Sequence, residues 1–386
     1  MVPTGETASA AFSCGFSIAN ILGMGDFMNQ LLMAVMTVGA VLGGLDRLFK
    51  NRFGLGEKFE EGFRLLGSMA LSMAGMICLA PVLADVLGRA IIPFYQAIGA
   101  DPAMFGSVLA IDMGGYQLSK ELAVNSLVGS YAGIVVSAVF GCTLVFTIPV
   151  GMGMICGKDR EFFARGIMLG LAAMPVGLVV GGLLCGLSFV NSLHQNLPIF
   201  VAAFLLLLGL FKIPDKMVKG FCALAEGIRI LVTVGLILAA VESFLGWNPL
   251  PGVAPMGEAM AVVSSIGVVL LGSLPAAELL RRLLAAPFSH LGKKLGVAPQ
   301  SLTGMLVGLV SAIPVFSMYK DMDPKGKVAS GAFLVSGTSL LAAHLGFTLS
   351  TEPEMLPALM GAKFCGAVTA AVLAMIFYKK SDNSNI

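Results

Sequence analysis

Charge is what this chain has least of. Only 12% of its 386 residues are Asp, Glu, Lys or Arg, against 57% hydrophobic. Soluble domains carry about twice that charged fraction. Mean hydropathy is +0.92, and no long polar block interrupts the apolar segments. A water-soluble globular protein is excluded, and the chain reads as one domain whose main partner is the lipid bilayer. A net charge of +2 gives no footing for nucleic acid.

Other shortages narrow the chemistry. The seven cysteines stand singly and no CxxC occurs, so neither a zinc site nor a redox pair is indicated. No HExxH is present. Gly157-Lys158 resembles the end of a phosphate loop, but Met152 stands where the first Gly is needed and Asp159 where Ser or Thr is needed. No cofactor is expected, and an enzyme is not indicated. The first 27 residues contain no Lys or Arg. Residues 1–23 therefore lack the basic start of a secretory signal. They read as an extracytoplasmic lead or as an over-called translation start.

What is present is a succession of apolar runs of membrane-spanning length. They fall at about 28–47, 65–88, 126–155, 166–190, 198–211, 220–246, 258–286, 328–350 and 355–378, with shorter segments at 103–120 and 301–318. The fold expected is an all-α polytopic membrane protein of about 9–11 transmembrane or re-entrant helices. It occupies residues 24–380, with a short tail at 381–386. Basic residues fix its orientation. If 103–120 and 301–318 dip in and return, nine spans remain. With the N-terminus outside, the basic loops around 47–64, 157–165, 212–219, 281–294 and 320–327 then all face the cytoplasm, as does the C-terminus. The spacings Gly39/Gly43, Gly166/Gly170, Gly182/Gly186 and Gly304/Gly308 predict close helix packing inside one bundle. They leave open whether the chain forms a homo-oligomer.

Charge inside apolar surroundings marks function, and Asp112-Met-Gly-Gly-Tyr-Gln-Leu-Ser-Lys-Glu121 is such a stretch. Gly114-Gly115 can break a helix and expose carbonyls beside Asp112 and Tyr116. Carboxylate, carbonyls and an aromatic face together suit a small organic ammonium. Lys120 and Glu121 could pair with each other or across to a second motif. The bland alternative is a capping Asp112 with solvated loop charges after it. Phe316-Ser-Met-Tyr-Lys320-Asp321 echoes Tyr116–Glu121 about 200 residues on, after a similar apolar segment. In the charge-derived topology the two segments enter from opposite sides, as in an inverted repeat. Phe316 is thereby a second substrate candidate, and Lys320 and Asp321 are candidates for ion pairing or gating. His344, inside an apolar span, could relay a proton, contact substrate or hold a neighbouring carbonyl. Glu226 and Arg229 are spaced to pair on one helix.

An ordered set of short stretches resembles the EutH family of ethanolamine transport proteins. The set is Phe59-Glu-Glu-Gly-Phe63, Leu79-Ala-Pro-Val-Leu83, Ile91-Ile-Pro93, Asp112-Met-Gly-Gly115, Lys120-Glu-Leu-Ala123, Phe146-Thr-Ile-Pro149, Ile313-Pro314, Gly326-Lys-Val328 and His344-Leu-Gly-Phe347. The resemblance covers about residues 24–380. It implies an inner-membrane permease importing protonated ethanolamine for catabolism; a related small amine, or an enzyme acting on lipid head groups, is the alternative. The chain departs from the family pattern at Ser311-Ala312, where an Asn pair is expected, and at Ala342-Ala343, where Gly-Asp is expected.

Overall fold

A computed structural model describes residues 24–109 and 115–382. Asp112 and Gly114, and the lead at 1–23, lie outside the described residues. Within them the chain is helical and contains no strand.

The helices, in chain order, are α1 (Met24–Leu48), α2 (Leu55–Met69), α3 (Gly75–Ala97), α4 (Ala103–Gly106), α5 (Gly115–Leu122), α6 (Ser126–Ser130), α7 (Ile148–Met154), α8 (Asp159–Cys185) and α9 (Phe189–Gln195). They continue with α10 (Leu197–Lys212), α11 (Pro214–Leu245), α12 (Met256–Leu295), α13 (Pro299–Gly308), α14 (Ala312–Met318), α15 (Pro324–Gly337), α16 (Ala343–Thr351) and α17 (Leu356–Asp382). Seven helical stretches are long and apolar enough to cross a membrane: Gln30–Leu48, Leu55–Ala97, Ser126–Met154, Asp159–Cys185, Pro214–Leu245, Met256–Leu284 and Pro353–Tyr378. An eighth candidate is α9 with α10, bent by 52°. The protein is a multi-pass, all-α membrane protein.

Three departures from expectation have physical causes. The basic stretch expected to be a loop begins helix α2 at Leu55. Its buried Gly62 lets it press on the backbone of α12 at Leu270, while Arg47 and Arg64 pair with Glu60 on the outer face. The span at 126–155 is helical throughout but wound as π-helix over Tyr131–Gly141 and Thr143–Thr147. Such long π-winding is rare and hydropathy does not register it. The span expected at 328–350 is interrupted between Gly337 and Ala343. Ser339 there adopts φ +56°, and the N–H groups of Ser339 and Leu341 donate to the carbonyls of Gly308 and Leu309 (3.1 and 2.8 Å). The bend after α13 thus satisfies the groups that the break exposes, as a membrane interior demands.

The two short segments fold alike. Each is a helical hairpin, α4–α5 and α13–α14, followed by a long helical stretch. A carboxylate clasps the base of each. Asp101 accepts from the N–H groups of Ala103 and Asn125 at 2.9 and 2.8 Å, and of Val124 at 3.3 Å. Asp323 accepts from the N–H groups of Ala298 and Gly326 and the hydroxyl of Ser301 at 2.9, 3.0 and 2.7 Å. Both clasps join the start of a hairpin to the helix after it, Asp101 from ahead of its hairpin and Asp323 from behind. Between the units, α8, α15 and α17 pack most closely. A Cβ on Gly166 would stand 2.6 Å from the Val328 carbonyl, and one on Gly177 2.4 Å from that of Ala362. Gly39 similarly meets the Gly272 carbonyl of α12. The small-residue spacings therefore serve contacts within the bundle.

Candidate functional site

Tyr116 and Lys120 lie one turn apart on α5, so both side chains leave the same face. They meet Glu352, the residue that ends α16 and precedes the last span. The Tyr116 hydroxyl donates to Glu352 Oε1 at 2.8 Å, and Lys120 Nζ donates to the same oxygen at 2.8 Å. Lys120 Nζ also donates to Ser130 Oγ at 2.9 Å and stands 6.0 Å from the centre of the Tyr116 ring. The ring meets Phe347 of α16 edge-on, with centres 5.3 Å apart. Gly133 lies directly beneath. A Cβ there would come within 2.9 Å of both Tyr116 Cα and its ring.

The sequence places these residues for local reasons. Asn125 caps α6 by accepting from Leu127 and Val128 N–H at 2.9 and 3.3 Å, which aims Ser130 towards Lys120. Helix α5 ends at Leu122, where Asp101 accepts from the N–H groups of Val124 and Asn125. The Lys120–Glu352 pair is neither dry nor free in water: the two side chains are 27% and 20% exposed. Burial pushes the Glu352 carboxyl up, but hydrogen bonds from Lys120 and Tyr116 outweigh it and hold the group below its ordinary range. The Tyr116 hydroxyl is pushed well above its usual value by burial and by the neighbouring carboxylate. Glu352 is thus an anion and Tyr116 a neutral donor throughout the physiological range.

A primary ammonium is therefore already bound here. Its acceptors are a carboxylate oxygen and a hydroxyl, with an aromatic face close by. Lys120 shows that the set accommodates an alkylammonium group at normal hydrogen-bond lengths.

The remaining candidates are dispersed. Glu121 is exposed and accepts from Gln117 Nε2 at 2.9 Å. Phe316 is buried and packs edge-on against Phe163, centres 5.6 Å apart. Lys320 and Asp321 are exposed and form no ion pair among the described residues. His344 is buried just after the break in the α15–α16 span, and its Nδ1 has no hydrogen-bond partner among the described residues. Arg229 does pair with Glu226 on α11. Lys120 pairs neither with Glu121 nor with the Phe316–Asp321 motif but with Glu352, a residue that sequence reasoning passed over. Glu352 stands in Ser350-Thr-Glu-Pro353 between two apolar runs and reads as a loop acid. Lys363 was also missed. It lies in the middle of the last apolar run, and a lone Lys in such a run was a usable signal.

The family model described as "Ethanolamine utilisation protein, EutH" matches residues 28–377. A protein of Listeria monocytogenes (serotype 1/2a, strain 10403S) named "Probable ethanolamine permease EutH" is 38% identical, over 93% of this chain and 96% of its own length. The protein of the same name from Salmonella typhimurium (strain LT2) is 38% identical over 93% of this chain and 98% of its own. A Bacillus subtilis (strain 168) protein named "Uncharacterized protein YxeR" is 36% identical over 90% and 94%. No solved structure matches the chain.

Proposed function

The chain belongs to the EutH family of ethanolamine utilisation proteins, and on that premise we propose that it is an ethanolamine permease that recognises the substrate as its ammonium ion. It moves the molecule without chemical change and is a transporter, not an enzyme. The observation that carries this reading is the seat of Lys120 Nζ on Glu352 and Ser130 beside Tyr116. The ammonium head of ethanolamine is the same chemical group as the lysine head. Its hydroxyl, two carbons away, can both donate and accept.

Lys120 is then a tethered stand-in. It holds α5 to Glu352 when substrate is absent and yields the carboxylate when substrate arrives. Asp112 and Gly114-Gly115, which come shortly before Tyr116 in the sequence, supply the next station for the cation. In this reading the seven long helices, the bent α9–α10 pair and the broken α15–α16 pair make nine crossings of a bacterial inner membrane. The N-terminus is outside and the C-terminus cytoplasmic. Glu352 and the base of the first hairpin then face outwards, and the second hairpin opens to the cytoplasm.

The test is uptake of radiolabelled ethanolamine by purified protein in liposomes, at mildly acidic pH where the neutral amine is scarce. Saturable uptake of unaltered ethanolamine is expected, with Asp112→Asn inactive though normally inserted. Chemical conversion of the label, or uptake equal to that of protein-free liposomes, would overturn the reading.

A further inference from the structure

Among the described Asp, Glu, Lys and Arg residues, Lys363 is the one with no exposed surface. It sits within α17, and its Nζ donates to the Ala138 carbonyl at 2.8 Å. Ala138 lies in the π-wound stretch Tyr131–Gly141. No carboxylate among the described residues forms an ion pair with Lys363. The titratable groups close enough to act on it electrostatically are His344 at the start of α16 and Cys142 between the two π-wound stretches. Helices α8, α15 and α1 also pack on α17, and none of their described residues brings a charged group against the amine.

The surroundings are polar but uncommitted. His344 Nδ1 and the hydroxyls of Ser336 and Thr338 are buried without a partner among the described residues. Ser336 lies against Gly366, one turn beyond Lys363, and Thr338 opens the break in the α15–α16 span. A structural brace for α17 would be served by an uncharged side chain. A lysine in an apolar span, resting on one carbonyl, has little to hold its charge, and a buried lysine readily gains and loses its proton. Helix α16 (Ala343–Thr351) carries His344 in its first turn and ends immediately before Glu352. His344 and Glu352 thus lie at opposite ends of one half-helix, about 12 Å apart along its axis at 1.5 Å per residue.

We propose that Lys363 is a proton-binding site coupled to transport, so that one proton is exchanged for each substrate cation carried. The inference rests on the permease reading above. Two like charges a few ångströms apart, at an effective dielectric constant of about 20, disfavour joint occupancy by about a thousandfold. A substrate ammonium that reaches the break from outside therefore displaces the proton from Lys363 to the outside water. In this proposal His344, whose Nδ1 has no partner among the described residues, accepts the proton and passes it on. After the substrate leaves to the cytoplasm, Lys363 takes up a cytoplasmic proton and the empty protein resets. One positive charge enters and one leaves, so the cycle moves no net charge.

The experiment uses the full-length protein in liposomes, with the rate of protein-free liposomes subtracted. An inside-negative potassium diffusion potential should leave the initial rate of labelled ethanolamine uptake unchanged. An acidic lumen should raise that rate several-fold. Lys363→Met should invert the pattern, with uptake raised several-fold by the potential and insensitive to the pH gradient. Uptake by the unsubstituted protein that responds to potential would overturn the inference while leaving the permease reading intact. So would a Lys363→Met variant that keeps the original pattern. If Lys363→Met does not insert, the electroneutrality of the unsubstituted protein still decides the matter. Absence of any saturable uptake would overturn both readings.

Discussion

Replacing Glu352 tests the proposed site most directly. One carboxylate oxygen takes the bonds of Lys120 and Tyr116, both at 2.8 Å. Glu352→Gln keeps the shape, and its amide oxygen can still accept from Tyr116, but the charge is lost. A fully exposed pair is worth about 0–1 kcal/mol, and breaking a buried one costs about 3–5 kcal/mol. Side-chain exposures of 27% and 20% put this pair between those limits, at about 1–2 kcal/mol. A double-mutant cycle with Lys120→Met should therefore show a coupling of about 1–2 kcal/mol in unfolding stability, read from thermal or denaturant melts in detergent. The same charge binds the substrate ammonium in the proposed function. Loss of one charge-assisted hydrogen bond, about 1.4 kcal/mol or more, should raise the KM for ethanolamine at least about tenfold. Lys120→Met should lower KM, because the tethered competitor is gone. A coupling indistinguishable from zero would refute the structural part of this reasoning. A Glu352→Gln variant with unchanged KM would refute the functional part.

Further outcomes follow from the same geometry. Gly133→Ala puts a methyl within 2.9 Å of the Tyr116 backbone, so α5 must shift; uptake should fall at least about tenfold while expression and membrane insertion stay normal, measured by transport and by detergent-solubilised yield. Asp101→Ala leaves the N–H groups of Ala103 and Asn125 without their carboxylate and should cost about 2–3 kcal/mol, seen as faster amide exchange at the hairpin base. The Glu352 carboxyl is held below its ordinary range. Its contribution is therefore complete above the ordinary value near 4.3 and is lost only as pH falls through the lowered one. The Lys120–Glu352 coupling measured between about pH 5 and 8 should accordingly be flat.

Sequence and structure divided the problem unevenly. Hydropathy alone determined that this is a helical membrane protein, because lipid leaves the backbone almost no other way to satisfy its hydrogen bonds. The motif echo between Tyr116–Glu121 and Phe316–Asp321 located both hairpins, since charge placed beside a short apolar run is visible without tertiary information. The π-winding of 131–147 and the break at 338–342 were not legible. Both stretches are apolar or small, and what holds the break open is the carbonyl pair of Gly308 and Leu309, some 30 residues earlier in the chain. The site divided in the same way. Tyr116 and Lys120 announced themselves by standing in an apolar region. Glu352 did not, because a Glu before a Pro between two spans is chemically ordinary until folding brings it 232 residues back to Lys120. Composition and periodicity decide which segments must leave water. Which charges then find each other is decided by packing, through close approaches such as Gly133 under Tyr116, and no local pattern encodes that.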